Sequence, residues 1–209
     1  MTLEEAIRRR RSVRRFAPDP VPEADLERLV ALAQLAPSAS NQQMWRFLAI
    51  TNREVLERMR GAVLDRYDEL AGRLTDDAAQ VAARGAKGYS SFFADAPVTI
   101  AVLAQPYQSP MRQALLSLEG SPERLGGTTG YPDVQSIGAA IAHLLLAATE
   151  LGYGTCWMTG PLAAREQLEA ILGVQPPWRL LALVPVGKPA DAPGPHGPRR
   201  EGSGLSWVR

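Results

Sequence analysis

The chain has 209 residues, of which 45% are hydrophobic and 22% are charged, and its formal net charge is +1. This composition is typical of one globular domain, and the charge balance gives no broad basic field for nucleic acid or an anionic membrane. No run approaches the roughly 18 apolar residues of a membrane-spanning helix, and the charged N-terminal segment is not expected to be a secretory signal. One cysteine, Cys156, and two histidines, His143 and His196, argue against a disulfide framework or a metal site. We therefore expect a cytoplasmic protein that holds no metal.

Two short helices are predicted near the N-terminus. Residues 2–9 begin with a capping box formed by Thr2 and Glu5, and basic residues occupy the last turn. A second helix is predicted to begin with Pro22 at its first helical position and to end before Pro37.

The next part of the chain alternates between polar and apolar segments. A polar, irregular loop at 37–46 precedes a short predicted strand at 47–51. Residues 53–94 are charged and rich in alanine, which predicts two or three surface helices. Pro97 then opens an apolar run at 98–104 that is typical of a buried strand.

The longest predicted helix covers residues 133–151, with Gly152 at its C-terminal end. It has one apolar stripe, and small or weakly polar residues occupy the opposite face: Ser136, Ala139, Ala140, His143 and Ala147. Such a helix is expected to be buried on both sides. Before it, residues 105–132 show little periodicity, which predicts a long loop that is a lid, a substrate loop or a disordered segment.

Two further strands are predicted at 155–158 and 180–186, on either side of a short helix near 162–172. The tail at 187–209 is rich in glycine and proline and has no core pattern of its own. Because helices and strands alternate irregularly, the pattern favours an α+β fold over a regular doubly wound sheet.

The densest chemical feature is the basic run at residues 8–15, which contains Arg10, Ser12 and Arg14. Guanidinium forks and a hydroxyl are the groups that bind a phosphate monoester. The alternative is a solvated basic patch or a nuclear-localisation-like run.

Two loops carry polar groups that suit a flat, polar ligand. Residues 37–45 offer hydroxyls and amides, and residues 152–161 place glycines around a strand end, where backbone amides can approach a ligand closely. The alternatives are an ordinary Ser/Asn loop and a strand followed by a turn. His143 and Cys156 are interpreted as buried structural residues, and no sequence motif indicates an activated nucleophile.

In chain order, the segments RRRSVRRF, APSASNQQMWRF, DAPVTIAVL, LLLAATELGYGTCWMTGP and LVPVGKP resemble the FMN-dependent nitroreductase family over nearly the whole chain. The resemblance implies one α+β domain over residues 1–209, with a central, mainly antiparallel sheet flanked by helices. It also implies an intertwined homodimer with FMN in two pockets at the interface. Residues 187–209 would form a C-terminal arm that reaches the partner subunit, and the small face of the 133–151 helix would pack against its dimer mate.

The resemblance also assigns the cofactor-binding residues. Phosphate binding is implied for Arg10, Arg11 through its backbone, Ser12, Arg199 and Arg200, and Arg14 would lie near the pyrimidine end of the flavin. The remaining implied contacts come from Pro37, Ser38, Ala39 and Asn41 of the partner subunit, with Ser40 close by, and from Trp157, Met158, Thr159 and Gly160. The Thr159 backbone amide is the implied hydrogen-bond donor to flavin N5.

The implied activity is that of an FMN-dependent oxidoreductase. Hydride from NADH or NADPH would reduce the flavin, and a nitroaromatic or quinone-type acceptor would then take the electrons in a ping-pong mechanism. The flavin carries the reaction, so no catalytic side chain is expected. The loop at 105–132, with Tyr107, Met111 and Tyr131, would shape the acceptor site.

Three alternatives to this activity stay open at this point. The first is other flavin chemistry on the same fold: reductive dehalogenation, flavin cleavage or azoline oxidation. The second is a protein that binds or sequesters flavin without turnover. The third is a basic-armed nucleic-acid binder, which the balanced overall charge disfavours.

Overall fold

The computed structural model describes residues 1–121, 124, 126, 129–192, 194, 195, 197 and 204–208. Within these residues, helices cover both faces of a four-stranded sheet. The helices are α1 Leu3–Arg9, α2 Glu23–Ala33, α3 Arg53–Arg73, α4 Asp77–Ser91, α5 Pro110–Glu119, α6 Pro132–Glu150 and α7 Arg165–Leu172. The strands are β1 Trp45–Ile50, β2 Val98–Ala104, β3 Gly154–Thr155 and β4 Arg179–Gly187. The predicted α+β fold with an antiparallel sheet is confirmed.

The sheet has the strand order β1-β2-β4-β3, and every neighbouring pair is antiparallel. Strand β2 lies in the centre and is buried along its whole length, as its unbroken apolar run predicts. Successive side chains point to opposite faces of the sheet. Ile100 and Val102 therefore pack in one core with α2 and α6, while Ala101 and Leu103 pack in a second core with α3 and α7.

The first two helices begin largely where the sequence indicates. The Thr2 amide donates to Glu5 Oε2 at 2.7 Å, and the Glu5 amide donates to Thr2 Oγ1 at 3.2 Å, so the predicted capping box is confirmed. Hydrogen bonds from the backbone and side chain of Thr2 to the Glu5 carboxylate lower the pKa of Glu5. Helix α2 begins at Glu23, and Pro22 stands just before its first helical residue rather than inside it.

Helix α6 is buried on two sides, as predicted, but much of its cover comes from its own chain. Helices α1 and α2 pack against it. Ser136, Ala140 and Ala147 of the small face are buried within the single chain. Ala139 and His143 are half-buried, so they are the part of that face left for a second chain. No helix in the described ranges combines the length and the apolarity needed to cross a membrane.

The prediction of an unstructured loop over residues 105–132 is wrong in its middle, where α5 forms. Ser109 caps this helix, since its Oγ accepts a hydrogen bond from the Arg112 amide at 3.0 Å. Gly120 ends it with a φ of 75°. Serine and proline at the start and glycine at the end are ordinary helix boundary signals. They did not lead to a helix prediction, because the apolar periodicity between them is weak.

The strand boundaries also differ from the prediction. Strand β1 begins at Trp45, two residues early, and β4 extends one residue beyond the prediction at each end. Strand β3 contains only two residues, because the chain leaves the ladder after Thr155. Met158 then forms a separate bridge with Leu183.

The first part of the predicted C-terminal arm lies against its own chain. The Ala17 amide donates to the Lys188 carbonyl at 2.9 Å, and the Ala190 amide donates to the Arg15 carbonyl at 3.0 Å. Residues 204–208 are exposed. An arm that extends to a partner subunit would therefore begin after Ala190, and not at position 187 as predicted.

Candidate functional site

The basic segment and the glycine-flanked strand end, which are far apart in sequence, lie side by side. Ser12 and Thr155 form a parallel bridge, and the Val13 amide donates to the Thr155 carbonyl at 2.9 Å. Gly154 permits this approach, because a Cβ there would stand 2.6 Å from Val13 Cγ2. Two of the predicted ligand-binding motifs therefore form one surface.

The extended segment distributes its side chains on two sides. Val13 is buried, whereas Ser12 and Arg14 on either side of it are exposed. Arg11 and Val13 line a separate cavity of about 360 Å³ with Tyr153. Because successive side chains of an extended chain point in opposite directions, the Arg11 side chain points away from the side chain of Ser12. The implied role of Arg11 through its backbone stays a prediction.

Arg10, Ser12 and Arg14 all act on the thiol of Cys156. Burial raises the pKa of the Cys156 thiol, while the Arg14 charge, a hydrogen bond with Ser12 and the Arg10 charge act in the opposite direction. Burial is the largest of these effects, so the thiol stays protonated at neutral pH. Cys156 packs within the second hydrophobic core, in agreement with its interpretation as a structural residue.

Arg14 is held in place by an aromatic side chain. Its Nη2 donates to Tyr89 Oη at 2.7 Å, and its guanidinium carbon lies 5.0 Å from the centre of the Tyr89 ring. Its Nη1 also donates to the Ser12 carbonyl at 3.2 Å. These contacts fix a cation beside the turn that follows Cys156.

A chain of hydroxyls supports the other edge of the site. Ser90 Oγ donates to Tyr67 Oη at 3.0 Å, and Tyr67 Oη donates to the Gly160 carbonyl at 3.1 Å. A side chain at position 160 would collide with Ser90 Oγ. Within the described part of the chain, the amides of Thr159 and Gly160 donate to no acceptor. Both residues are exposed, so these two N–H groups are available to a ligand.

Trp157 and Met158 lie on opposite sides of this turn. Met158 is buried and bridged to Leu183, whereas Trp157 is 42% exposed. The Trp157 ring lies against α6 at Gly138, where a Cβ would be 3.5 Å from Trp157 Cη2. Trp157 is therefore the aromatic surface that the turn presents to solvent.

The Ser/Asn loop has a strained backbone. Ser40, Asn41 and Gln43 have φ values of 50°, 51° and 49°, in the left-handed region that few residues other than glycine adopt. Two hydrogen bonds hold this conformation: the Gln43 amide donates to Ser38 Oγ at 3.0 Å, and the hydroxyls of Ser40 and Tyr107 lie 2.9 Å apart. Strain of this kind is typical of functional loops.

This loop is anchored to the start of α6 and to the segment before α5. The Ala39 amide donates to Ser136 Oγ at 3.1 Å, at the start of α6. The Gln42 side chain pairs with both backbone groups of Gln108, with distances of 2.5 and 3.0 Å. Pro37 is exposed at the start of the loop. Among the described residues, no hydrogen bond joins this loop to the basic segment.

Three residues of the site were not assigned from the sequence. Tyr89 and Ser90 stand shortly before the buried strand β2, but nothing in the sequence gave either a partner. Tyr67 lies 93 positions from Gly160, and no local pattern could connect them. Arg199 and Arg200, the implied phosphate-binding pair, lie outside the described residues.

The fold and the site together define an α+β protein in which a basic segment meets free backbone amides beside an exposed aromatic ring. The sequence model of the Nitroreductase family matches residues 7–188. The chain belongs to the nitroreductase family.

Individual relatives agree with this membership. The 5,6-dimethylbenzimidazole synthase of Rhodobacter capsulatus is 31% identical, and the match covers 90% of this chain and 83% of the synthase. A BluB-like flavoprotein from Clostridium difficile 630 is 28% identical, has a TM-score of 0.87, and matches over the full length of both chains. A nitroreductase with bound FMN from Desulfitobacterium hafniense DCB-2 has the same fold, with a TM-score of 0.73 at 21% identity over both full chains.

Proposed function

We propose that the protein is an FMN-dependent oxidoreductase that takes hydride from NADH or NADPH and reduces nitroaromatic or quinone-type acceptors by a ping-pong mechanism. The observation that carries this proposal is the bridge between Ser12 and Thr155, which joins the basic segment to the strand end that leads into the turn at Thr159 and Gly160. Membership of the nitroreductase family and the FMN held by the Desulfitobacterium protein support it.

The donor set fits the phosphate end of FMN. A phosphate monoester carries nearly two negative charges, and guanidinium and hydroxyl groups supply matching charge and hydrogen bonds. Arg10 and Ser12 would bind this group, with the Arg11 backbone adding a donor. Arg14, held by Tyr89, would lie near the pyrimidine end of the ring, where a cation stabilises the negative charge of a reduced flavin.

The donor set also fits the edge of a flavin ring. The Thr159 and Gly160 amides are exposed N–H donors that suit ring nitrogen and carbonyl acceptors. Tyr67 and Ser90 hold the Gly160 carbonyl and so fix the orientation of this turn. FMN, when bound, supplies the two-electron chemistry, so this chain needs to bind and orient the reactants rather than provide an acid or a base.

A second chain would complete the site. The strained loop around Ser40 bonds to Tyr107, and Ala39 bonds to Ser136, so its anchors lie outside the basic segment. In a homodimer, Pro37, Ser38, Ala39 and Asn41 of one subunit would cover the flavin held by the other. Exposed apolar side chains support an interface: Leu3, Ile7 and Trp207 are 68%, 53% and 74% exposed.

The test is a pair of anaerobic half-reactions followed by absorbance. The purified protein is expected to show a flavin spectrum, to bleach with NADH or NADPH, and to regain its colour with a nitroaromatic or a quinone. A protein that binds FMN and does not bleach with either nucleotide would be a binding protein, and the proposal would be wrong.

Flavin cleavage, one of the alternative chemistries that the family resemblance leaves open, can be examined in the same experiment. Cleavage of the flavin would destroy the chromophore irreversibly when air is admitted to the reduced protein. The proposed activity predicts full recovery of the oxidised spectrum in air, and a permanent loss of the flavin absorbance would favour flavin cleavage.

A further inference from the structure

A small, positively charged cavity lies beside the start of α6, outside the residues assigned to the flavin. Its volume is about 170 Å³, and it is lined by Arg112, Tyr131, Asp133 and Arg179, with Pro106 and Pro132 at its edge. Complete sites for small organic ligands measure about 300–1,000 Å³. This cavity is therefore large enough for one substituent of a larger molecule.

The two cations of the cavity are unequally neutralised. Arg179 Nη2 donates to Asp133 Oδ2 at 3.1 Å, and Asp133 is only 8% exposed. Arg179 Nε is buried and has no acceptor among the described residues. Asp133 is the one carboxylate among the described lining residues, so two guanidinium groups face a single negative charge.

The position of Arg112 is electrostatically unfavourable for a cation. It stands in the first turn of α5, where the positive end of the helix dipole disfavours a cation. Its backbone amide binds Ser109, but its side chain has no hydrogen bond or ion pair within the described ranges. The helix terminus and the guanidinium together favour an anion in this cavity.

The cavity is connected to the loop that covers the acceptor side of the proposed site. Ser136 Oγ donates to the Pro132 carbonyl at 2.6 Å and accepts from the Ala39 amide at 3.1 Å. Asp133 and Ser136 are one helical turn apart on α6. An acceptor under this loop could therefore extend a substituent into the cavity.

We propose that this cavity binds the carboxylate of an anionic aromatic acceptor, with Arg112 as the recognising cation and Arg179, fixed by Asp133, as the second. The proposal rests on the proposed function for the position of the acceptor. It narrows the substrate class from nitroaromatics and quinones in general to those that carry a negative substituent.

The test compares two acceptors of the same shape and different charge, 4-nitrobenzoate and 4-nitrobenzyl alcohol. Arg112→Gln should lower kcat/KM for 4-nitrobenzoate about tenfold or more, because a charge-assisted contact is lost. It should leave the neutral acceptor and the reduction of bound FMN by nicotinamide unchanged. The matched control is Arg84→Gln, since Arg84 is an exposed arginine on α4 that should affect neither acceptor. Equal losses for both acceptors, or no loss for either, would overturn the proposal.

A binding measurement keeps this test separate from the oxidoreductase activity. Calorimetric titration of the purified protein with benzoate should show binding that weakens with added salt and that Arg112→Gln weakens about tenfold or more. If nicotinamide does not reduce the protein, the proposed function fails while this titration still decides the cavity. Benzoate binding of equal strength in the wild type and Arg112→Gln would contradict the assignment of Arg112.

Discussion

The amide of Val13 donates to the carbonyl of Thr155 at 2.9 Å, and this hydrogen bond joins the N-terminal basic segment to the end of strand β3. It joins the two segments to which the family resemblance assigns the binding of the FMN phosphate and of the flavin ring. The approach depends on Gly154, which faces the Val13 side chain without a Cβ of its own.

Gly154→Ala should therefore damage both stability and cofactor binding. The new Cβ would stand 2.6–2.8 Å from Val13 side-chain atoms, and overpacking of this kind costs about 1–3 kcal/mol. Urea unfolding and flavin content after dialysis measure the two effects. Gly61→Ala on α3 is the control: with nothing within 4 Å of its Cβ, it should raise stability by up to about 1 kcal/mol. A Gly154→Ala protein with normal stability and flavin content would show that the close approach is unimportant.

The protein should be an obligate dimer. Half of the proposed site, the loop around Ala39, is anchored to α6 rather than to the basic segment of the same chain. Obligate interfaces commonly bury more than about 2,000 Å². Sedimentation equilibrium should give twice the chain mass of 22.6 kDa. A stable monomer with fully bound FMN would contradict the shared site.

The rate of flavin reduction should not depend on Cys156 or His143, the two side chains that could otherwise act as a nucleophile or as an acid–base group. Burial raises the pKa of Cys156, and His143 lies half-buried on α6. Cys156→Ala and His143→Gln should each leave flavin reduction by nicotinamide within about tenfold, or about 1.4 kcal/mol of barrier. Stopped-flow absorbance, corrected for flavin occupancy, gives the rates. A thousandfold loss in Cys156→Ala with flavin still bound would indicate thiol chemistry.

Tyr153 should give stability a specific pH dependence. Burial, followed by the hydrogen bond and charge of Asp25, raises the pKa of Tyr153 to about 12. The folded state therefore holds this proton more tightly than the unfolded state, whose tyrosines ionise near 10. The stabilisation is fully present below pH 10 and is lost as the pH rises toward 12.

Urea unfolding between pH 9 and 12 checks this dependence on pH. Tyr153→Phe is the suitable variant, because it removes the phenol and keeps a ring beneath Lys188 Nζ, which lies 4.1 Å from the ring centre. The variant should lose less stability than the wild type over this interval. Identical losses in the two proteins would mean that Tyr153 does not contribute.

Local signals in the sequence predicted most of the fold. Thr2 and Glu5 cap α1, and the unbroken apolar run of β2 predicts a strand with both faces covered. The failures involve distant partners. Strand β3 is short because Met158 pairs with Leu183 on its own, and residues around Lys188 pair with the segment around Ala17. No local pattern contains that information.

The sequence predicted part of the candidate site as well. Residue chemistry pointed to the basic segment, and the family resemblance implied the roles of Arg10, Ser12 and Thr159. The structure joins the two segments at Ser12 and Thr155, and the roles of the individual residues stay predictions. Tyr67 could not be found in this way, because its links to the site are hydrogen bonds with Ser90 and Gly160 that only the tertiary fold forms. The predicted role of the loop at Ser38, which is to cover the flavin of the other subunit, stays a prediction because it requires a second chain.

The most direct test of the proposed FMN site is an equilibrium titration of the apoprotein with FMN, followed by the quenching of flavin fluorescence. Arg10→Ala should weaken FMN binding about tenfold to a hundredfold, because a charge-assisted phosphate contact contributes about 1.5–3 kcal/mol. Arg9→Ala should change it little, because Arg9 is exposed and lines the separate cavity with Arg11. An unchanged FMN affinity in Arg10→Ala, or an equal loss in both variants, would contradict the assignment of this segment to the cofactor phosphate.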